Sequence, residues 1–232
     1  MVGSKQPQPI FLSAEEADSH CRAGASVWKF ASTDNGLHLD VVLVSIGEET
    51  TFGVIEAAAM LRRIAPNLRV RVVNITGLLI LKHEGGHPNA FSHEDFDALF
   101  ITDRPIHINY HGYPDEVKRL IFGRPNLHRI SIEANSEEGS TTTPLDMMLR
   151  NRVSRYHIAE AAIKDGVLRN EKVRLDMHEM LSNVRHDIVK LQEYISWRLV
   201  SIQIMLTIRL LLMESIPCIG MLAMRTELNF ET

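Results

Sequence analysis

Asp40-Val41-Val42-Leu43-Val44-Ser45-Ile46-Gly47-Glu48 is the stretch on which the fold turns. Its apolar run is too continuous for a half-exposed strand and reads as a strand covered on both faces. Gly47 and Glu48 lead into a helix through Ile64. Val54, Ala57, Ala58, Leu61 and Ile64 follow the i, i+3, i+4, i+7 pattern, and Pro66 lies just past the end. The same alternation continues downstream. Leu68 to Ile75, Pro105 to Tyr110 and Leu127 to Glu133 read as three further strands. Ser92 caps a helix, with Phe91 and Phe96 placed as a hydrophobic staple, and another helix runs from Pro114 to Phe122. Strands alternating with helices imply an α/β fold, a three-layer sandwich with a mostly parallel sheet.

Upstream, Pro7 and Pro9 make residues 1–12 an extended lead-in. Ser13-Ala14-Glu15-Glu16 is a capping box, and its helix should stop near Gly24. Residues 31–39 form a polar loop. Downstream, the loop Glu137 to Thr143 ends at Pro144, which opens a helical stretch through Ala162. A long helix follows from Glu171 to Ile195. Its Met177, Leu181, Val184, Ile188, Leu191 and Ile195 form an apolar stripe at coiled-coil spacing. Beyond Ser196 the composition shifts. Val200, Ile202, Ile204, Leu206, Ile208 and Leu210 alternate with Ser201, Gln203, Thr207 and Arg209, the period of a strand. That strand could join the sheet; the favoured reading is a tail never selected to fold. The division is therefore a lead-in at 1–12, an α/β domain at 13–195 and an atypical apolar tail at 196–232.

The 232 residues carry a formal charge of -4 and no Lys/Arg stripe, which gives no reason to expect nucleic acid. Two cysteines, Cys21 and Cys218, are too sparse for a disulfide framework or a zinc site and suit a reducing compartment. No apolar leader follows Met1, and the apolar region from Ile195 to Met224 is broken by Arg198, Arg209, Glu214 and Pro217. Neither a signal peptide nor a membrane span is expected, and the cytoplasm is the default.

The chemistry-bearing motifs are sparse. GxGxxG, Walker, GxSxG and HExxH patterns are absent from the sequence, as is a Gly-Asp-Gly followed by Asn. His83, His87, His93, His107 and His111 could supply metal ligands, but their spacing fits no ligand pattern, and surface or loop histidines are the favoured reading. The run Glu137-Glu138-Gly139-Ser140-Thr141-Thr142-Thr143-Pro144 could bind an anion ahead of a helix, or simply cap it. Two adjacent carboxylates favour the cap. His111 closes the third strand, where α/β folds place sites. It has no nucleophile beside it, so a structural hydrogen bond is the favoured role.

Six segments, in order, carry a family resemblance. They are Gly3-Ser4-Lys5-Gln6-Pro7, Ala25-Ser26-Val27-Trp28, Val70-Arg71-Val72-Val73-Asn74, Phe96-Asp97-Ala98-Leu99-Phe100, Tyr110-His111-Gly112-Tyr113-Pro114 and Glu138 to Met147. Together they resemble the phosphoketolase family, from about residue 3 to Tyr194. The resemblance implies the family's C-terminal domain, transketolase C-terminal-like in fold, preceded by the last residues of another domain. It implies a lyase dependent on thiamine diphosphate and magnesium, cleaving xylulose 5-phosphate or fructose 6-phosphate with phosphate to give acetyl phosphate. The cofactors and catalytic residues would belong to other domains, which would be this chain's partners in a homodimeric enzyme. This chain alone would be inactive, with no catalytic, cofactor or metal residue. One site residue carries over: Lys5, in the place of a lysine that helps bind substrate phosphate, here preceded by Ser4 in place of Gly. The alternative is a stand-alone regulatory module that binds a phosphorylated metabolite or nucleotide at the strand ends near Gly47, Thr76 and His111.

Overall fold

A computed structural model describes residues 9–34, 38–137, 142–168 and 170–214; side chains are described through Arg198 and at Ile204 and Met205. The chain divides into two compact units, Met1–Val189 and Lys190–Thr232.

The first unit is an α/β sandwich around a five-stranded sheet. Helix α1 (Ala14–Ala23) opens with the expected capping box: Glu16 N–H donates to Ser13 Oγ, and Ser13 N–H donates to Glu16. It closes on Gly24, whose φ of 76° is the left-handed conformation that glycine adopts without strain. Strand β1 (Ala25–Val27) follows, then β2 (Val41–Ile46), α2 (Glu48–Ile64), β3 (Val70–Ile75) and a 3₁₀ turn at Leu78–Leu81. Next come α3 (His93–Phe100), β4 (Ile106–Tyr110), α4 (Pro114–Ile121) and β5 (Ile130–Ala134). Helices α5 (Pro144–Arg150), α6 (Arg155–Gly166) and α7 (Glu171–Glu214) complete the order.

The sheet order is β1-β3-β2-β4-β5. Strands β2 to β5 are parallel, and β1 lies antiparallel on β3. Every residue of β2 is buried, as its unbroken apolar run requires. Alternate β2 residues feed two cores. Val41 and Leu43 join α2, α6 and α7; Val42, Val44 and Ile46 join the 3₁₀ turn, α3 and α4.

Four expectations are corrected. Strand β1 was not anticipated; its three residues carry too little pattern to stand out. The fourth strand begins at Ile130, because Asn126 turns left-handed at φ 56° and Leu127–Arg129 forms a 3₁₀ turn. The helical stretch from Pro144 breaks into α5 and α6: Arg152 has φ 61°, and Asn151 turns its amide to Asn135 and to the Ser136 carbonyl instead of continuing the helix. Residues 200–210 are helical, not a strand. No Pro or Gly separates Glu171 from Glu214, so extending a nucleated helix costs less than starting a strand, and the dense apolar set satisfies either period. In the second unit this helix exposes Tyr194, Trp197, Ile204 and Met205, and Arg198 Nε donates to Tyr194 OH at 2.9 Å. Cys218 lies outside the described residues; Cys21 is exposed and free.

Candidate functional site at the carboxyl ends of the strands

Parallel α/β sheets place ligand sites at the strand carboxyl ends. Here a row of polar side chains crosses the sheet one residue short of those ends. Ser26, Asn74, Ser45, Asn109 and Glu133 stand in direct register on β1, β3, β2, β4 and β5. Ser45, Asn74 and Asn109 are buried, so each must find partners inside the protein.

They do. Asn74 Nδ2 donates to Ser45 Oγ at 2.9 Å and to Thr51 Oγ1 at 3.0 Å. Its Oδ1 therefore accepts, and the partner 2.9 Å away is Nε2 of buried His20. This fixes the proton on Nε2. Nδ1 of His20 lies 2.7 Å from Ser26 Oγ. Thr51 passes its own proton to the Gly47 carbonyl at 2.6 Å, and Asn109 Nδ2 donates to the Val44 carbonyl at 3.2 Å. The amide of Asn74 is fully engaged, leaving it no free donor.

Above this row lies a cleft of about 450 Å³, walled by Phe11, Trp28, Leu78 and Tyr110 and edged by Gly47, Glu48 and Thr76. The Phe11 and Trp28 rings pack at 5.5 Å. Tyr110 donates to Glu116, and that hydrogen bond, with burial adding to it, pushes the phenol up to about 12. Among the described residues the lining includes Glu48 but no Lys, Arg or His. That chemistry is wrong for a phosphoryl group, which needs cationic or multiple N–H donors.

The structure brings some of the sequence-derived residues together. Gly47 and Thr76 share the cleft. Gly47 has φ 97°, and a Cβ there would come within 2.5 Å of His111 Cβ, so its close approach to His111 requires glycine. The His111 N–H donates to the Ile46 carbonyl at 2.8 Å. The loop before α5 is a cap where it is described: Thr143 Oγ1 accepts from Asp146 N–H at 3.3 Å, and Thr142 bonds the Asp146 carboxylate. Burial would raise that carboxyl; hydrogen bonds from Thr142 and Arg150 outweigh burial and hold it low. Glu138 to Thr141 lie outside the described residues, as does Lys5.

The histidines are dispersed. His83 lies against Gly123, and His107 pairs across strands with Ser131. Among the described residues no group of three His, Cys, Asp or Glu side chains could hold a metal ion. Among the described residues no helix is long and apolar enough to cross a membrane. The polar row itself was missed. Its one sequence signal is a polar residue just before the end of each apolar strand, at Ser45, Asn74 and Asn109.

A family profile described as the XFP C-terminal domain matches residues 5–205, eleven residues past the Tyr194 limit suggested by the motifs. A probable phosphoketolase of Schizosaccharomyces pombe is 46% identical over 195 residues, covering 84% of this chain and 23% of that protein. A probable phosphoketolase of Brucella abortus is 40% identical over 164 residues, covering 71% and 21%. The chain thus spans less than a quarter of the length of these two relatives. Among solved structures, a split gene transketolase described as an inactive beta4 tetramer matches with a TM-score of 0.40 and 16% identity, over 64% of this chain and 44% of that one.

Proposed function

Because the chain belongs to the XFP C-terminal domain family, we propose that it serves as the C-terminal α/β domain of a phosphoketolase, supporting the assembly and closure of active sites carried by other domains. The reaction is cleavage of xylulose 5-phosphate or fructose 6-phosphate by phosphate to give acetyl phosphate. The observation that carries this reading is the family match over residues 5–205, alongside relatives of which such a region is about a quarter.

The site chemistry agrees with a supporting role. Thiamine diphosphate supplies the electron sink for this class of reaction, and a protein must hold its diphosphate and magnesium. The residues described here do not fit that group: the cleft offers Glu48 and no cation, and the polar row is engaged internally. Partners are the remaining domains, in a homodimeric, cytoplasmic enzyme. Lys5 would reach substrate phosphate there as a point charge.

The test has two arms. The purified chain, given xylulose 5-phosphate, phosphate, thiamine diphosphate and magnesium, forms no acetyl phosphate; turnover above a protein-free control would overturn the supporting role. In a phosphoketolase assembled from all its domains, Lys5→Ala raises KM for phosphate or sugar phosphate by roughly tenfold to a hundredfold, the equivalent of about 1.5–3 kcal/mol. Unchanged KM values for both would remove Lys5 from the site.

A further inference from the structure

The end of the sheet opposite the cleft has a different electrostatic character. A cavity of about 620 Å³ opens there, at the amino ends of β2 and β3 and the start of α7. Its lining includes His38, Asp40, Arg69, Arg104, Asn170 and Lys172.

Its carboxylates are already satisfied. Asp40 Oδ2 accepts from Arg69 N–H at 2.9 Å and from Asn170 Nδ2 at 2.8 Å. Glu171, at the rim, takes Arg174 at 3.0 Å. Two of its three cations are not. The Arg69 guanidinium donates to the His38 carbonyl at 3.2 Å and forms no ion pair among the described residues. Lys172 makes neither a hydrogen bond nor an ion pair among them. Arg104 reaches Asp103 through one nitrogen, while its Nε–H is buried without an acceptor. Three cations from three separate segments thus face two carboxylates around one cavity, and Arg69 and Lys172 have no ionic partner among the described residues.

We propose that this cavity binds a compact phosphate-bearing anion. Two guanidinium groups and an ammonium suit a dense, multiply charged oxyanion, the arginines through paired N–H groups and the lysine as a point charge. The first turn of α7 adds its partial positive charge. The site is independent of the supporting role proposed above; either can fail alone.

The probe is inorganic pyrophosphate, titrated into the full ¹⁵N-labelled chain. Saturable amide shifts are expected at Arg69, Arg104 and Lys172. The double variant Arg69→Gln/Lys172→Gln should weaken binding about tenfold or more while melting at the wild-type temperature. A citrate titration separates phosphate from carboxylate recognition, and citrate should bind more weakly. Non-saturable shifts, shifts centred outside this cavity, undiminished binding by the double variant, or citrate binding as tightly as pyrophosphate would each overturn the proposal.

Discussion

On one face of the sheet α2, α6 and α7 bury a continuous set of aliphatic side chains; on the other, a 3₁₀ turn, an irregular segment and two eight-residue helices close around a buried arginine. Arg124 is 3% exposed. It donates to the carbonyls of Ile80, Leu81, Lys82, Phe91 and Ser92 and lies 4.4 Å over the Phe96 ring. Burial lowers its pKa from the usual arginine value. The opposite face has its own buried charge, Glu160, bound by Arg185 at 2.8 Å and Lys164 at 2.9 Å. One layer is set by periodic apolar packing and pinned by ion pairs. The other lacks regular structure to satisfy its backbone, so a buried cation takes that role.

The comparison breaks most severely at Arg124. Arg124→Met keeps the apolar stem but leaves the Leu81, Lys82 and Phe91 carbonyls without their donor, and should cost on the order of 3 kcal/mol or more in urea unfolding. A loss below about 1 kcal/mol would mean that water replaces the guanidinium and that the arginine does not organise the layer. Asn74→Leu, in the polar row on the α2 face, should cost less, about 1–3 kcal/mol, because it leaves His20, Ser45 and Thr51 without one partner each.

Acid separates the two layers. His157 is pushed below the usual histidine range by burial, with Arg152 adding to it. Burial would raise Glu160, but its hydrogen bonds to Arg185 and Lys164 outweigh burial and hold it below the usual glutamate value. Both folded pKa values are depressed. Their stabilisation is therefore full above the unfolded values and fades as pH falls, from about 6.5 for His157 and about 4.5 for Glu160. Arg124 keeps its charge throughout. Amide exchange should thus show α6 and α7 loosening before α3 and α4 between pH 6.5 and 4, and Glu160→Gln should flatten the lower half of that profile. Simultaneous loosening of both layers would contradict the assignment.

The smallest effect is expected at the tail. Among the described residues, none of either core cluster lies beyond Ile188. Removing residues 196–232 should leave the melting temperature of the α/β unit unchanged within a degree or two and reduce light scattering, since Trp197, Ile204 and Met205 are exposed. Loss of the cooperative transition would show that the tail belongs to the fold.

These two layers also differ in how much could be read from sequence. Strands β2 to β4 and helices α2 and α7 were legible because Val41 to Ile46 is a continuous apolar run of strand length and Met177 to Ile188 repeats at the helical period. The capping box at Ser13 and the cap at Ser92 are local and were legible for that reason. Arg124 was not, because its partners lie 32 to 44 residues away and are backbone atoms that carry no residue-type signal. The polar row was hidden in the same way: Ser45, Asn74 and Asn109 become neighbours only once strand register is known. The end of α7 was misread because its apolar residues are dense enough to satisfy strand and helix periods alike.

The measurement that bears most directly on the supporting role is complementation. The Schizosaccharomyces pombe relative, truncated of the region matched here, is mixed with this chain and assayed for acetyl phosphate with xylulose 5-phosphate, phosphate, thiamine diphosphate and magnesium. The account predicts that neither part alone turns over and that the mixture does. Full activity of the truncated enzyme by itself, or a mixture that stays silent although the two parts co-elute, would contradict it.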